Sequence, residues 1–252
     1  AVSYLYYADR LYQITLAIAG IAVGTVILPE LSKKIKLNNY KLAQDLQSKS
    51  INLCLFISLP AAVGLYIASY DIVNALFGYG SFTETSVKNT SAALKFFAIG
   101  IPAFALLKIF SSFYFARNNT QTPFHLSAIV VVINLVLSIY LFRIIGFIAI
   151  PIATTISTWI IVFAYIFKFV EKDIHKFDNI FFRKIIKMFL SSALMAIFLI
   201  YMISFLADKL IYGSSLKILY LFSIVGLSIV VYFLISVLIG SIKFSKKKSI
   251  II

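Results

Sequence analysis

Long apolar runs, broken at intervals by short polar and basic segments, mark the chain from its first residues. A helix that crosses a bilayer needs about 20 predominantly apolar residues, because each residue advances the axis by about 1.5 Å. On that ruler the pattern predicts seven spans, at about residues 3–29, 50–70, 89–116, 123–142, 146–170, 185–207 and 216–241. Pro29 closes the first, and Pro123 opens the fourth at a position helices tolerate. Between spans, Lys36 to Gln47 is polar, with Leu37, Leu42 and Leu46 spaced like one face of a short surface helix. Asp71 to Thr83 reads as a short interfacial helix broken by Gly78 and Gly80. Glu171, Asp173, His175 and Asp178 mark a solvated linker. The organisation expected is five spans in 1–170, a linker over 171–184, and two further spans with a basic tail in 185–252.

Composition settles the solvent. Of 252 residues, 62% are hydrophobic and 13% charged, where a soluble domain runs near 45–50% and 25%. The mean hydropathy is +1.00. Too few charges remain to solvate a surface, which argues against a soluble enzyme or a disordered chain. Cys54 is the single cysteine, so a disulfide framework is excluded as well. The expected class is an all-α polytopic membrane protein.

Lys and Arg outnumber Asp and Glu by 23 to 9, a net charge of +14. In a soluble protein that would suggest nucleic acid. Here the basic residues follow the spans. Sixteen fall in loops on one side (Lys33–Lys49, Arg117, Lys168–Lys187 and the tail from Lys243), and four, Lys88, Arg143, Lys209 and Lys217, on the other. Basic loops stay cytoplasmic. The asymmetry therefore predicts a cytoplasmic C-terminus and an external N-terminus, and no nucleic-acid partner. The chain opens Ala-Val-Ser-Tyr, without Met or a signal peptide, as expected of a piece that starts part-way through a longer protein.

A charge inside a span must face protein or water, because hydrocarbon penalises it by a few kcal/mol or more. Arg10 forms a polar stripe with Tyr6 and Gln13 at helical spacing. Its planar guanidinium matches phosphate oxygens two at a time. Two readings stand: an anion-binding residue in a wet cavity, or an arginine that snorkels or pairs with Asp9. Gly20 and Gly24 permit close helix contact. Lys95 reads as snorkelling, and Lys108 as snorkelling or cavity-lining. Asn134 and Ser138 share one face of span four, and Thr154, Thr155 and Thr158 supply hydroxyls from span five. Such oxygens could hold Na⁺ or bond the helices to each other. No nucleophile–base constellation, carboxylate pair or phosphate loop is visible, so a transporter is expected rather than an enzyme.

Several stretches resemble the MurJ/MviN family, the lipid II flippases of the multidrug/oligosaccharidyl-lipid/polysaccharide exporter superfamily. Tyr6-Tyr7-Ala8-Asp9-Arg10-Leu11 followed by Gly24-Thr25-Val26-Ile27-Leu28-Pro29-Glu30-Leu31-Ser32 is similar to the family's eighth helix. Leu59-Pro60-Ala61 is similar to its ninth. Leu76 to Thr83 resembles its LF-x-x-G-x-FT motif, and Lys108 with Tyr114 to Pro123 its lysine and FY-x-R-x-D-x-x-TP segment. Gln13, Ser112, Asn119 and Ser138 depart from residues common in the family, namely a glutamate, a proline and two aspartates.

The resemblance implies helices eight to fourteen of a fourteen-helix protein: a second lobe, and two extra helices that form a groove for a lipid tail. It assigns the lipid-linked diphosphate to Arg10, with Tyr6, Gln13 and Lys108 as cavity-lining candidates. Asn134, Ser138 and Thr154 would correspond to a cation site. The implied function is alternating-access export of lipid II across the bacterial cytoplasmic membrane, without a cofactor, coupled to Na⁺, protons or membrane potential. The partners implied are membrane lipids and the missing N-terminal lobe. A flippase for another polyprenyl-linked oligosaccharide, a drug exporter and a non-transporting remnant are the alternatives.

Overall fold

A computed structural model describes residues 2–17, 22–171, 174–175, 178–214, 216–241, 243–244 and 250–251. The helices are α1 (Val2–Leu16), α2 (Ala22–Lys36), α3 (Tyr40–Ile67), α4 (Ser69–Phe77), α5 (Glu84–Phe115), α6 (Gln121–Ile145), α7 (Ala149–Glu171), α8 (Asn179–Phe205) and α9 (Lys217–Leu238). Near the C-terminus, Lys243–Phe244 pairs antiparallel with Ile250–Ile251. Five described stretches are long and apolar enough to cross a membrane. One of them, Gln121–Glu171, is the α6–α7 hairpin folded at the 3₁₀ turn Gly146–Ile148, where Gly146 takes φ 65°.

Within the first predicted span the described residues form α1 and α2, and residues 18–21 lie outside the described residues. Pro29 does not end the helix; it lies inside α2, which continues to Lys33, Lys34 and Lys36, cations that suit a helix C-terminus. Gly20 lies outside the described residues. The separate surface helix over 36–47 is also corrected. Asn38, at φ 53°, turns the chain, and Asn39 caps α3 by accepting from the Leu42 N–H. Residues 40–47 are thus the first turns of α3, because Ala43 and Gln47 face inward on the same stripe as Ser50 and Ile51.

The other starts follow local chemistry. Thr83 accepts from the Ser86 N–H at the head of α5, and Asp178 from the Phe181 N–H at the head of α8. α4 ends at Gly78, the break read from the sequence. α5 is the central element, packed by α1, α3, α4 and α7. Most of its circumference is apolar and buried, as a helix packed on several sides requires. Gly100 lets α7 approach: a Cβ there would lie 2.8 Å from Thr155 Oγ1. Thr155 donates to the Phe96 carbonyl at 2.8 Å and Trp159 to the Ile99 carbonyl at 3.2 Å.

Further along the same pair, Phe110, Phe113, Tyr114, Tyr165 and Phe169 form an aromatic core with centroids 5.0–6.1 Å apart. α8 packs on α3 and α9, and the Tyr232 hydroxyl donates to the Phe56 carbonyl at 2.9 Å. The outward faces of α6 to α9 are strongly apolar, with Phe124, Val132, Ile139, Phe167, Phe205 and Leu238 exposed. That is the surface of a protein whose solvent is lipid.

Candidate cavity surface and lipid groove

The helices alternate in direction, so the loops gather at two ends. At one end Tyr4 meets Phe147, Tyr7 meets Phe77 and Phe82, and Tyr212 donates to the Phe82 carbonyl. At the other, Arg117 reaches Ile174, and Lys187 donates to the Gly240 carbonyl. These are the two loop sets that the basic-residue count separates.

α1 lies along α5 with Ala8 and Leu11 inward and Tyr6, Arg10 and Gln13 exposed on the opposite side. The Arg10 guanidinium sits 4.9 Å from the Tyr6 ring centroid and donates to Gln13 Oε1 at 3.4 Å. Gln13 in turn donates to Asp9. Among the described residues the one ion pair within 4 Å is Lys88–Glu84, so Asp9 holds Gln13 rather than Arg10.

Tyr12 stacks on Phe97 at 4.7 Å and lies 5.3 Å from Phe104, near the middle of the 32-residue α5. Arg10 is two residues back, about 3 Å along the axis, and Tyr7, three residues further, meets Phe77 and Phe82. Arg10 thus lies between the loop end and the middle of α5.

Lys108 lines an open cleft of about 710 Å³ at the far end of α5, with Leu107, Ser111, Phe115, Thr120, Gln121, Pro123, Phe124 and Ser127. It lies about 12 Å along the helix axis from residue 100.

Asn134, Ser138 and Thr154 are brought together, and they satisfy one another. Asn134 Nδ2 donates to Thr154 Oγ1 at 3.0 Å, Ser138 Oγ to Asn134 Oδ1 at 3.0 Å, and Thr154 Oγ1 to the Ile150 carbonyl at 2.8 Å. The donor set is neutral, without a carboxylate, and already engaged as an interhelical relay. These residues do not fit a resident Na⁺.

A second cavity, of about 420 Å³, runs between α3 and the α8–α9 pair. Phe56, Pro60, Ala61 and Gly64 form one wall, Met195, Leu199, Val225 and Tyr232 the other, with Thr15 and Ile72 at its ends. Gly64 keeps it open, since nothing lies within 4 Å of a Cβ built there. On α8, Met195 lines this groove. Met188 is buried, while Leu190, Ile200 and Phe222 turn outward. A 3.6-residue period gives the apolar face of a helix but not which of two apolar surroundings it meets.

Sequence reasoning missed two polar clusters that fasten the α8–α9 pair. Lys217, counted above among external loop charges, is fully buried. It donates to Asn74 Oδ1 at 3.1 Å and the Gly78 carbonyl at 2.8 Å, with the Tyr79 ring centroid 4.0 Å away. Asn74 Nδ2 donates to the Leu210 carbonyl at 2.8 Å. The signal available was Asn74, a polar residue inside the apolar run of a short helix.

At the opposite end, the network fixes the Gln47 amide with its oxygen toward Arg117, accepting at 2.9 and 3.0 Å, and its nitrogen donating to the Ile174 carbonyl at 3.1 Å. Arg117 also donates to the Phe113 carbonyl at 2.8 Å. His175 is buried beside Ser48, and burial pushes its imidazole down to about 4. The linker expected to be solvated is therefore docked at His175.

The family model described as "Lipid II flippase MurJ" matches residues 1–221. A probable lipid II flippase MurJ of Rhizobium tropici is 33% identical over 246 residues, covering 96% of this chain and 46% of that protein. That of Rickettsia prowazekii (strain Madrid E) is 38% identical over 156 residues, 62% of this chain and 31% of the relative. A solved structure of lipid II flippase MurJ in an inward closed conformation superposes with a TM-score of 0.78 at 26% identity, covering 94% of this chain and 46% of that one. The chain thus spans about half the length of the longer matches. Taken with the helix order, the matches establish that this chain belongs to the MurJ lipid II flippase family.

Proposed function

We propose that this chain is the second lobe and two-helix appendage of a flippase that carries lipid II across the bacterial cytoplasmic membrane by alternating access. The observation that carries the reading is Arg10: charged, exposed, inside an apolar helix, and on the face of α1 turned away from the α5 side. A facing lobe, supplied by the other half of a protein as long as the relatives, would enclose that face as a wet cavity. The Arg10 fork would then hold the diphosphate while the groove between α3 and α8–α9 takes the lipid tail. The end carrying Arg117 and His175 faces the cytoplasm, in keeping with the basic loops gathered there. No covalent step is required.

Complementation of a flippase-depleted strain by the full-length protein tests this. Arg10→Ala loses charge and fork, and fails to support growth at matched protein level. Arg10→Lys keeps the charge alone and supports it in part. A charge-assisted contact contributes about 1.5–3 kcal/mol, roughly 10- to 150-fold in affinity. Full complementation by Arg10→Ala would refute the assignment.

A further inference from the structure

Tyr7 stands about one helical turn before Arg10 on α1. Its ring packs on two rings from outside the helix, Phe77 at 4.8 Å and Phe82 at 5.2 Å. Phe77 ends α4, and the residues between it and Phe82 make a tight turn. The Gly78 N–H donates to the Asn74 carbonyl at 3.0 Å, the Phe82 N–H donates to the Tyr79 carbonyl at 3.0 Å, and Gly80 takes φ 55°. There is no slack at Gly78, where a Cβ would fall 2.5 Å from the Asn74 carbonyl oxygen. An element packed this closely shifts as a unit rather than deforming.

The other side of the turn belongs to the α8–α9 pair. Lys217 donates to the Gly78 carbonyl at 2.8 Å, and Tyr212 donates to the Phe82 carbonyl at 2.9 Å. Phe82 is therefore held twice, by its ring to α1 and by its carbonyl to the connection that leads into α9. Phe77, Phe82 and Tyr212 also pack on one apolar cluster with Ala8 and Leu11 of α1. Lys217 is fully buried, and among the described residues no carboxylate lies within 4 Å of it. Its charge is met by the Gly78 carbonyl, Asn74 Oδ1 and the rings of Tyr79 and Tyr212. Pulled away from them it would be an unpaired buried ammonium, which is strongly penalised. The start of α9 and the 77–82 turn thus move together.

From this we infer that Tyr212 and Lys217 are positioning residues for Arg10. Through the 77–82 turn they tie the helix that carries the guanidinium to the helix pair that walls the lipid groove, so a tail in the groove sets the aim of Arg10. The inference rests on the flippase reading and deepens it: headgroup and tail are recognised cooperatively, not by two independent sites. Linkage makes the effect reciprocal, so a diphosphate at Arg10 tightens the grip on the tail by the same factor.

The test separates head from tail. Inorganic pyrophosphate is titrated against the full-length protein in nanodiscs, with and without a long-chain polyprenol that carries no phosphate. The polyprenol is expected to tighten pyrophosphate binding about fivefold or more in the wild type. In Lys217→Met and in Tyr212→Phe the enhancement falls below about twofold, while photo-crosslinking of the polyprenol to α8 and α9 persists. Tyr212→Phe removes one oxygen and keeps the ring, which guards against misfolding of the lysine variant. His175→Gln, which loosens the linker to α8 at the opposite end, retains the full enhancement. If the enhancement survives in both outer-end variants, or is absent from a wild type that binds both probes, the joint is wrong while the flippase reading stands. Equal loss in His175→Gln would mean general loosening and would also overturn it. If the wild type binds neither pyrophosphate nor polyprenol, the flippase reading fails and the joint with it.

Discussion

Replacing Lys217 by Met keeps an unbranched chain of similar length and removes the charge. In the folded protein it deletes two charge-assisted bonds, to Asn74 Oδ1 and the Gly78 carbonyl, and a cation–π contact with Tyr79. Each bond contributes about 1.5–3 kcal/mol, and two buried acceptors are left without their donor. Against that, the variant no longer desolvates an ammonium group, which costs several kcal/mol. A net loss of about 2 kcal/mol at the outer end is expected, roughly 30-fold in the equilibrium between the fastened and loosened α4–α9 contact. Hydrogen exchange of the full-length protein reads this locally. Amides of 207–214 and the first turn of α9 should exchange about 30-fold faster, while those near Arg117 and Ile174 keep their rates. Asn74→Ala alone should produce much of the same effect, and the double variant should fall well short of the sum, because both act through one cluster. Unchanged exchange at 207–214 in Lys217→Met, or equal acceleration at both ends, would refute the clasp.

Gly78→Ala should be poorly tolerated, since its Cβ would lie 2.5 Å from the Asn74 carbonyl oxygen; a lowered melting temperature checks this. Gly64→Leu meets open space and gains helix propensity of nearly 1 kcal/mol, so it should fold normally yet reduce photo-crosslinking of a polyprenyl probe to α8 and α9. His175 is neutral when buried and titrates at about 4 when folded, against about 6.5 unfolded. The unfolded linker therefore binds more protons across that window, and docking of the linker loses stability as pH falls from about 6.5 toward 4. His175→Gln should flatten that dependence in a pH series of limited proteolysis. Exchange of Na⁺ for K⁺ should leave thermal stability unchanged, and Asn134→Ala should lower it by about 1 kcal/mol for the lost interhelical bonds.

The solvent, the helix order and the two loop sets were legible because each depends on runs of 20 residues and on charge bookkeeping along the chain. Gly78 as the end of α4 was legible for local reasons, like the capping residues that set helix ends. Arg10 was visible as a charge in a span, but the helix its own helix packs on was not: that needed the Tyr12–Phe97 stack, a contact between residues 85 positions apart in sequence. The end of the first span was misplaced because Pro29 looks like a terminus and is an interior residue of α2. Lys217 and His175 escaped for a shared reason. A lysine or histidine at a span edge looks solvated until the Asn74 side chain or the Gln47–Arg117 pair is brought over it by the fold.

The central claim is that Arg10 faces an aqueous cavity, and accessibility of position 10 measures it most directly. In a full-length protein lacking Cys54, Arg10→Cys is labelled with a charged, membrane-impermeant thiol reagent and compared with Val132→Cys on the outward face of α6. The account predicts rapid labelling at position 10, slowed by a polyprenyl diphosphate, and negligible labelling at position 132. Labelling at position 10 no faster than at 132 would place Arg10 against lipid and contradict the account.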